Sequence, residues 1–210
     1  MELIHAFIDI VLHLDAHLVE LLQAYGSWVY PILFAIVFAE TGFVVTPFLP
    51  GDSLLFAAGA LAAVDSSGTL SAPVLSVVLI AAAVLGNTTN YHIGAWVGPA
   101  AFSGKYRFLK VDYLRRTEAF FAKHGSMTIV LSRFVPIVRT CAPFVAGIGR
   151  MPYARFQAYN VGGGAAWVLL LTWAGYFFGN IPLIKNHFGF VTLGIIAISL
   201  LPMIWVALKK

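Results

Sequence analysis

The chain of 210 residues is poor in charge: Asp, Glu, Lys and Arg together make up 10% of it, against about 25% in an ordinary soluble domain. Hydrophobic residues make up 60%, and the mean hydropathy is +0.87. A soluble globule of this size would expose much of that apolar surface to water, so we infer that lipid surrounds much of the chain. The composition therefore predicts an integral membrane protein.

Motifs of common catalytic and cofactor sites are also lacking. The single cysteine, Cys141, excludes an intramolecular disulfide. The sequence has no G-x-S-x-G or H-E-x-x-H motif, and the glycines of 98–106 have the wrong spacing for a phosphate-binding loop. The N-terminus lacks the basic start of a removable signal peptide. We therefore expect neither an enzyme nor a bound cofactor.

Basic residues are absent from the first half of the chain. No Lys or Arg precedes Lys105, whereas seven of the nine acids lie between Glu2 and Asp65. Basic loops of membrane proteins stay in the cytoplasm, so segment 99–125 and the C-terminus are expected on the cytoplasmic side of a bacterial inner membrane. A nucleic-acid partner is not expected, because no single basic block with interleaved aromatics is present.

The first 24 residues carry polar side chains at every third or fourth position. This spacing predicts an amphipathic helix over 1–24 that lies in the membrane interface. His5, Asp9, His13 and His17 form a ladder at four-residue spacing that could hold a metal ion, but a solvated helix face is the simpler interpretation.

Two segments, 27–64 and 126–149, each combine short apolar runs with internal prolines. Two short apolar halves around a Pro/Gly break predict a re-entrant helical hairpin, which is tolerated at membrane depth where protein or water covers it. The breaks are expected at Pro47, Pro50 and Gly51 in the first hairpin, and at Pro136 and Pro143 in the second.

Three further segments, 74–98, 156–179 and 190–208, are long and apolar enough to span a membrane. Gly26–Ser27 recurs as Gly125–Ser126, and "TPF" (46–48) recurs as "APF" (142–144). We therefore predict a single all-α membrane domain over 1–210 with two inverted repeats and a final transmembrane helix. Each repeat is an amphipathic helix, a re-entrant hairpin and a transmembrane helix, and such paired broken segments mark the binding site of transporters.

Four charged side chains fall inside the predicted hairpins: Glu40, Asp52, Arg133 and Arg139. Each costs about 2.5–3.5 kcal/mol at the centre of a membrane helix, so unpaired charges are disfavoured. They could form two purely structural ion pairs. Alternatively, the arginines could bind a phosphate and the acids could carry a proton. Asn87 and Asn90, polar residues within segment 74–98, are secondary candidates, and the glycines of 162–164 favour close helix packing.

Two longer stretches carry a family resemblance: "FAETGFVVTPFLPGDSLLFAAGAL" (38–61) and "RFVPIVRTCAPFVAGIGRMPYARFQAYNVGGGAAWV" (133–168). They resemble the two signature regions of the DedA family, bacterial inner-membrane proteins of the SNARE-associated or VTT domain group. The resemblance implies two opposed re-entrant hairpins, an essential acidic pair at Glu40 and Asp52, and essential arginines at Arg133 and Arg139. Close relatives often have Asp where this chain has Asn87.

The resemblance also implies a function in envelope homeostasis that depends on the proton-motive force. We expect a flippase that recycles undecaprenyl phosphate, with membrane lipid and protons as its partners and a homo-oligomer as one option. Arg133 and Arg139 would bind the phosphate, and Glu40 and Asp52 would couple it to protons. A proton-coupled antiporter for small cations or drugs, a passive phospholipid scramblase and a structural assembly factor are the alternatives.

Overall fold

Helices form all the regular structure in the part of the chain that the structure describes. This computed structural model describes residues 14–43, 51–98, 111–182 and 194. The predicted all-α class is confirmed for these residues. The helices in chain order are α1 (Leu14–Tyr25), α2 (Val29–Gly42), α3 (Gly51–Val64), α4 (Ala72–Val97), α5 (Val111–His124), α6 (Thr128–Leu131), α7 (Pro136–Ile148) and α8 (Tyr153–Phe178).

Helix length separates spanning stretches from short ones. His17–Gly42, α4 and α8 each comprise 26 residues and are apolar enough to cross a membrane. A helix of that length measures about 39 Å, which exceeds the apolar thickness of about 30 Å. By contrast, α3 has 14 residues and α7 has 13, so each measures about 20 Å and is too short to cross alone.

The stretch His17–Gly42 is interrupted near its middle rather than continuous. Gly26 has a φ of 53°, and a 3-10 turn over Gly26–Trp28 joins α1 to α2. The same geometry recurs between α5 and α6, where Gly125 has a φ of 57° and a 3-10 turn covers Gly125–Met127. A left-handed residue ends a right-handed helix, and glycine adopts this conformation without strain. The two Gly–Ser junctions thus share one backbone form, which supports the predicted relation between the halves.

Two helices begin two or three residues earlier than the sequence predicts, in each case next to a proline. The observed α4 begins at Ala72, before Pro73, and α8 begins at Tyr153, directly after Pro152, whereas the sequence predicted starts at 74 and 156. Proline is tolerated in the first helical turn because its missing N–H has no helical acceptor there.

The expected break at Pro143 is wrong, because Pro143 lies inside α7. The break of the second hairpin lies earlier, where the 3-10 turn Ser132–Phe134 leads to an extended Val135 with φ −127° and ψ 100°. Pro136 then occupies the start of α7. Proline at position 143 removes one hydrogen bond from the interior of α7 without ending the helix.

The chain divides into two compact units, each assembled from both halves of the sequence. Unit 1 contains the described residues 14–34, 51–79 and 168–182, and unit 2 contains 35–43, 80–98 and 111–167. The core of unit 1 includes Leu33, Leu55 and Leu75. In unit 2, Tyr91, Ile129, Ala142 and Phe156 form the centre of an apolar cluster.

Among the described residues, each unit contains a close helix crossing at which a glycine of either helix faces a backbone carbonyl of the other. In unit 1, a Cβ on Gly59 would collide with the Thr172 carbonyl oxygen of α8, and one on Gly175 would collide with the Phe56 carbonyl oxygen of α3. Small residues let helix backbones approach this closely in membranes.

The crossing of α4 and α7 in unit 2 repeats this pattern residue for residue. A Cβ on Gly94 would meet the carbonyl oxygen of Phe144, and one on Gly147 would meet that of Tyr91. In both crossings each glycine follows the opposing contact residue of its own helix by three positions. Phe144 of α7 therefore occupies the same place as Phe56 of α3. The sequence comparison of "APF" with "TPF" instead pairs Phe144 with the Phe of segment 46–48. The inversion of the repeats stays a prediction.

Several predicted features lie outside the described residues. These are the metal ladder except His17, the Pro47–Pro50 break, residues 99–110 of the basic segment, and the last span over 190–208 apart from residue 194. His17 Nδ1 lies 3.5 Å from Glu20 Oε2 on α1. In the described part of the chain, no three potential metal ligands lie together.

The unit 2 crossing predicts a position-specific effect of alanine. Gly147→Ala is expected to lower the thermal midpoint in detergent, because overpacking a tight contact costs about 1–3 kcal/mol. Gly162→Ala is the control, since nothing lies within 4 Å of a Cβ there. Replacing an exposed helical glycine by alanine should stabilise by roughly 0.5–1 kcal/mol. Equal midpoints for the two variants would contradict the crossing.

Candidate functional site

A buried ion pair joins the two predicted hairpins within unit 2. Arg139 Nη2 donates to Glu40 Oε1 at 2.6 Å. The two side chains are only 11% and 4% exposed, respectively. Removing water from both groups is expensive, and this cost is offset only when the charges remain in close contact. The pair is therefore strongly interdependent.

The positions of these two residues on their helices make the dependence stronger. Glu40 lies in the last turn of α2, and Arg139 lies in the first turn of α7. A helix carries partial negative charge at its C-terminus and partial positive charge at its N-terminus. Each charged group is thus placed at the helix end that disfavours it, so each depends on the other for compensation.

Arg133 lies on the 3-10 turn before α7 and is 2% exposed. Its Nη2 donates to the Asn160 Oδ1 at 2.9 Å. Its Nε and Nη1 have no hydrogen-bond partner among the described residues. These two nitrogens carry three of the five N–H groups of a guanidinium. Buried donors without acceptors are costly, so this position favours an additional acceptor.

Both guanidinium groups lie beside one aromatic ring. The Trp167 ring centroid lies 5.7 Å from Arg133 Cζ and 5.3 Å from Arg139 Cζ. The indole is almost fully buried, with 1% of the residue exposed. A cation within about 6 Å of an indole face is attracted to it, and more strongly where water is excluded. Trp167 therefore helps to hold two like charges in one region of unit 2.

The Asn160 side chain connects Arg133 to α4. Its Oδ1 also accepts from Asn87 Nδ2 at 3.0 Å, and its Nδ2 donates to the Val84 carbonyl oxygen at 3.0 Å. Asn87 was singled out from the sequence, and the structure places it in this network at 3% exposure. It donates to Asn160, and no described contact joins it directly to Arg133.

Asn90 fixes the backbone on both sides of the ion pair. Its Nδ2 donates to the Thr41 carbonyl oxygen at 3.2 Å and to the Thr140 carbonyl oxygen at 2.9 Å. Thr41 directly follows Glu40, and Thr140 directly follows Arg139. One buried amide on α4 therefore connects the helices that present the acid and the base.

Asp52 belongs to a different helix, α3. It is half-buried in the first turn of α3, which belongs to unit 1. An N-terminal helical turn favours a carboxylate through the helix dipole. The structure thus brings together Glu40, Arg133, Arg139, Asn87 and Asn90 within unit 2, and Asp52 belongs to unit 1.

Sequence reasoning missed Asn160 and Trp167 as members of the site. The available signal was their spacing, because Asn160, Gly164 and Trp167 follow one another at intervals of four and three and so share one face of α8. An asparagine within an apolar span carries the same signal that singled out Asn87 and Asn90. The glycines of 162–164 were assigned only to helix packing, which fits Gly163 against Val130.

The chemistry available to this site is anion binding and proton exchange. The guanidinium groups suit phosphate oxygens, and an anion bound beside Arg139 would also be stabilised by the N-terminus of α7. Glu40 is a buried carboxylate that loses its charge on protonation.

A family comparison covers most of the chain. A family model described as the VTT domain matches residues 49–177. No solved structure matches the chain.

Curated relatives extend the match towards both ends. The chain is 53% identical over 203 residues to "Protein DedA" of Escherichia coli strain K12, covering 96% of this chain and 92% of the relative. It is 44% identical over 179 residues to an uncharacterized membrane protein of Mycobacterium tuberculosis, covering 85% and 78%. It is 39% identical over 162 residues to "Inner membrane protein YghB" of Escherichia coli strain K12, covering 77% and 73%. The chain therefore belongs to the DedA family of VTT-domain membrane proteins.

Proposed function

We propose that this protein transports undecaprenyl phosphate across the bacterial inner membrane, so that the lipid carrier is recycled for envelope synthesis. Its partners are the lipid and protons. The substrate follows from what membership of the DedA family implies, and the bacterial inner membrane agrees with the name of the relative YghB. The observation that carries the proposal is the set of buried N–H groups on Arg133 that lack an acceptor in the described part of the chain.

A phosphate monoester fits the needs of Arg133. Its oxygens accept several hydrogen bonds, and its charge offsets the buried guanidinium. A neutral lipid headgroup would supply acceptors without this charge. The polyprenyl chain would remain in the surrounding bilayer, where its transfer costs no apolar exposure. The phosphate therefore enters the protein while the tail stays in lipid.

Proton coupling takes place at the Glu40–Arg139 pair. A proton binds the Glu40 carboxylate, the carboxylate loses its charge, and its attraction to Arg139 falls. Arg139 then binds the phosphate together with Arg133. The partial positive charge at the N-terminus of α7 also attracts the phosphate. Asp52 is a second proton acceptor in this scheme. Deprotonation restores the ion pair and releases the phosphate.

The direction of transport follows from the distribution of charge. Basic residues of α5 and the α8 start, among them Arg115, Lys123 and Arg155, are exposed or half-buried. We place this end in the cytoplasm, where basic segments are retained. Protons entering from the opposite, more acidic side would then drive the lipid phosphate inwards.

The proton role is tested by transport in proteoliposomes with an imposed pH gradient. Wild-type protein should translocate undecaprenyl phosphate faster with an inward gradient than without one. Glu40→Gln should lose most of this acceleration, because the amide cannot take up a proton. Glu118→Gln removes an exposed acid of unit 2 and should retain it. Equal gradient responses of wild type and Glu40→Gln would contradict the proton role.

The phosphate role is tested by lysine at the arginines. Arg139→Lys retains the charge but loses the planar fork, so phosphate transport should fall by about tenfold or more. Arg155→Lys, at an exposed position of α8, is the matched control and should transport normally. A proton-coupled cation antiporter would tolerate Arg139→Lys. Full activity of this variant on undecaprenyl phosphate would therefore contradict a guanidinium–phosphate contact.

A further inference from the structure

Arg133 is paired with a neutral side chain at a depth where a carboxylate would be the usual partner. We propose that Asn160 is a positioning residue that holds the Arg133 guanidinium without neutralising it, and so reserves its charge for the anionic headgroup. The identity of that headgroup rests on the proposed function. The assignment of Asn160 rests on its own contacts.

The Asn160 carboxamide has one orientation. Its Nδ2 donates to the Val84 carbonyl oxygen at 3.0 Å and to Gln157 Oε1 at 3.1 Å. A flipped amide would place its oxygen against the Val84 carbonyl oxygen, and two acceptors repel one another. Oδ1 is therefore held towards Arg133 and Asn87, both of which are donors. The network around α4 fixes the acceptor before any ligand arrives.

One face of α8 supplies further uncharged contacts of Arg133. At Gly164, a Cβ would lie 3.2 Å from Arg133 Nη2 and 3.6 Å from its Cζ, so the missing side chain makes room for the guanidinium. One turn further along, Trp167 presents its ring 5.7 Å from Cζ. Asn160, Gly164 and Trp167 are all uncharged. They position Arg133 by a hydrogen bond, by space and by an aromatic surface, and none cancels its charge.

The two arginines therefore have different tasks. Arg139 contacts a carboxylate that can gain or lose a proton, so its availability changes with protonation. Arg133 donates to an amide that does not titrate, so protonation leaves this contact unchanged. Aspartate has nearly the same volume as asparagine. A carboxylate at position 160 would therefore form an ion pair with Arg133 and neutralise its charge. This division makes Asn160 a determinant of selectivity for charged over neutral lipids.

The binding test compares aspartate and alanine at this position. Asn160→Asp should weaken undecaprenyl phosphate binding to purified protein by at least about tenfold, because the new carboxylate competes with the phosphate. Asn160→Ala removes the acceptor but leaves the charge, so the loss should be smaller, roughly threefold. Undecaprenol, which lacks the phosphate, is the ligand control. Gln157→Glu adds the same charge one turn away on α8 and should weaken binding less than Asn160→Asp.

Thermal midpoints separate positioning from a purely structural contribution. Asn160→Asp should exceed the midpoint of Asn160→Ala, because its ion pair with Arg133 offsets the repulsion between its second oxygen and the Val84 carbonyl oxygen, so the variant with weaker binding is the more stable of the two. A structural role predicts the reverse, with binding following stability. Asn160→Asp that binds as wild type, or that binds better than Asn160→Ala, overturns the proposal.

A double-mutant cycle decides the question without any lipid. Arg133→Met should lower the midpoint more in the Asn160→Asp background than in wild type, because it leaves the new carboxylate buried alone. Equal effects in both backgrounds overturn the assignment of Asn160. Wild-type protein that does not prefer undecaprenyl phosphate to undecaprenol contradicts the proposed function instead, and the cycle then still tests Asn160.

Discussion

The contact between Glu40 and Arg139 is the constraint on which the rest of unit 2 depends. Both groups are buried, and each lies at the helix end whose dipole opposes it. Neither position is favourable for a charged side chain alone. Folding therefore has to bring α2 and α7 together before either charge is tolerated, and Asn90 connects the residues that follow them.

Polar residues of α4 and α8 complete the surroundings of the charges. Asn87 and Asn90 lie on α4, and Asn160 lies on α8, so amides rather than further charges bridge the helices. Amides satisfy backbone and side-chain partners without adding charge to a region that already contains two guanidinium groups. Buried networks of this kind rigidify a site when every member is satisfied. Among the described residues, Asn90 Oδ1 and the Nε and Nη1 of Arg133 have no hydrogen-bond partner, and the Arg133 donors are the basis of the proposed phosphate contact.

The all-α class, the short and long helices and the pairing of Glu40 with an arginine could be predicted from the sequence. Hydrophobic run length and the cost of buried charge were sufficient for these. The partner of Arg133 could not be predicted, because nothing in the local sequence links it to Asn160, 27 residues away. The break predicted at Pro143 was wrong, because Pro143 lies inside α7. A membrane helix tolerates an interior proline when neighbouring groups satisfy the freed carbonyl. The helix crossings depend on contacts between distant segments, which periodicity does not encode.

The reciprocal glycine crossings make each half of the sequence a packing partner of the other half. The short helix α3 packs closely against α8, and the short helix α7 packs closely against α4. Each short helix therefore packs against a long helix from the other half of the sequence. A fragment ending after α4 would lack α8, against which α3 packs. A fragment starting at α5 would lack α4, against which α7 packs. Neither fragment is self-sufficient, whereas two such pieces made together would complement one another. Each half of the sequence therefore depends on the other half for the close packing of its short helix.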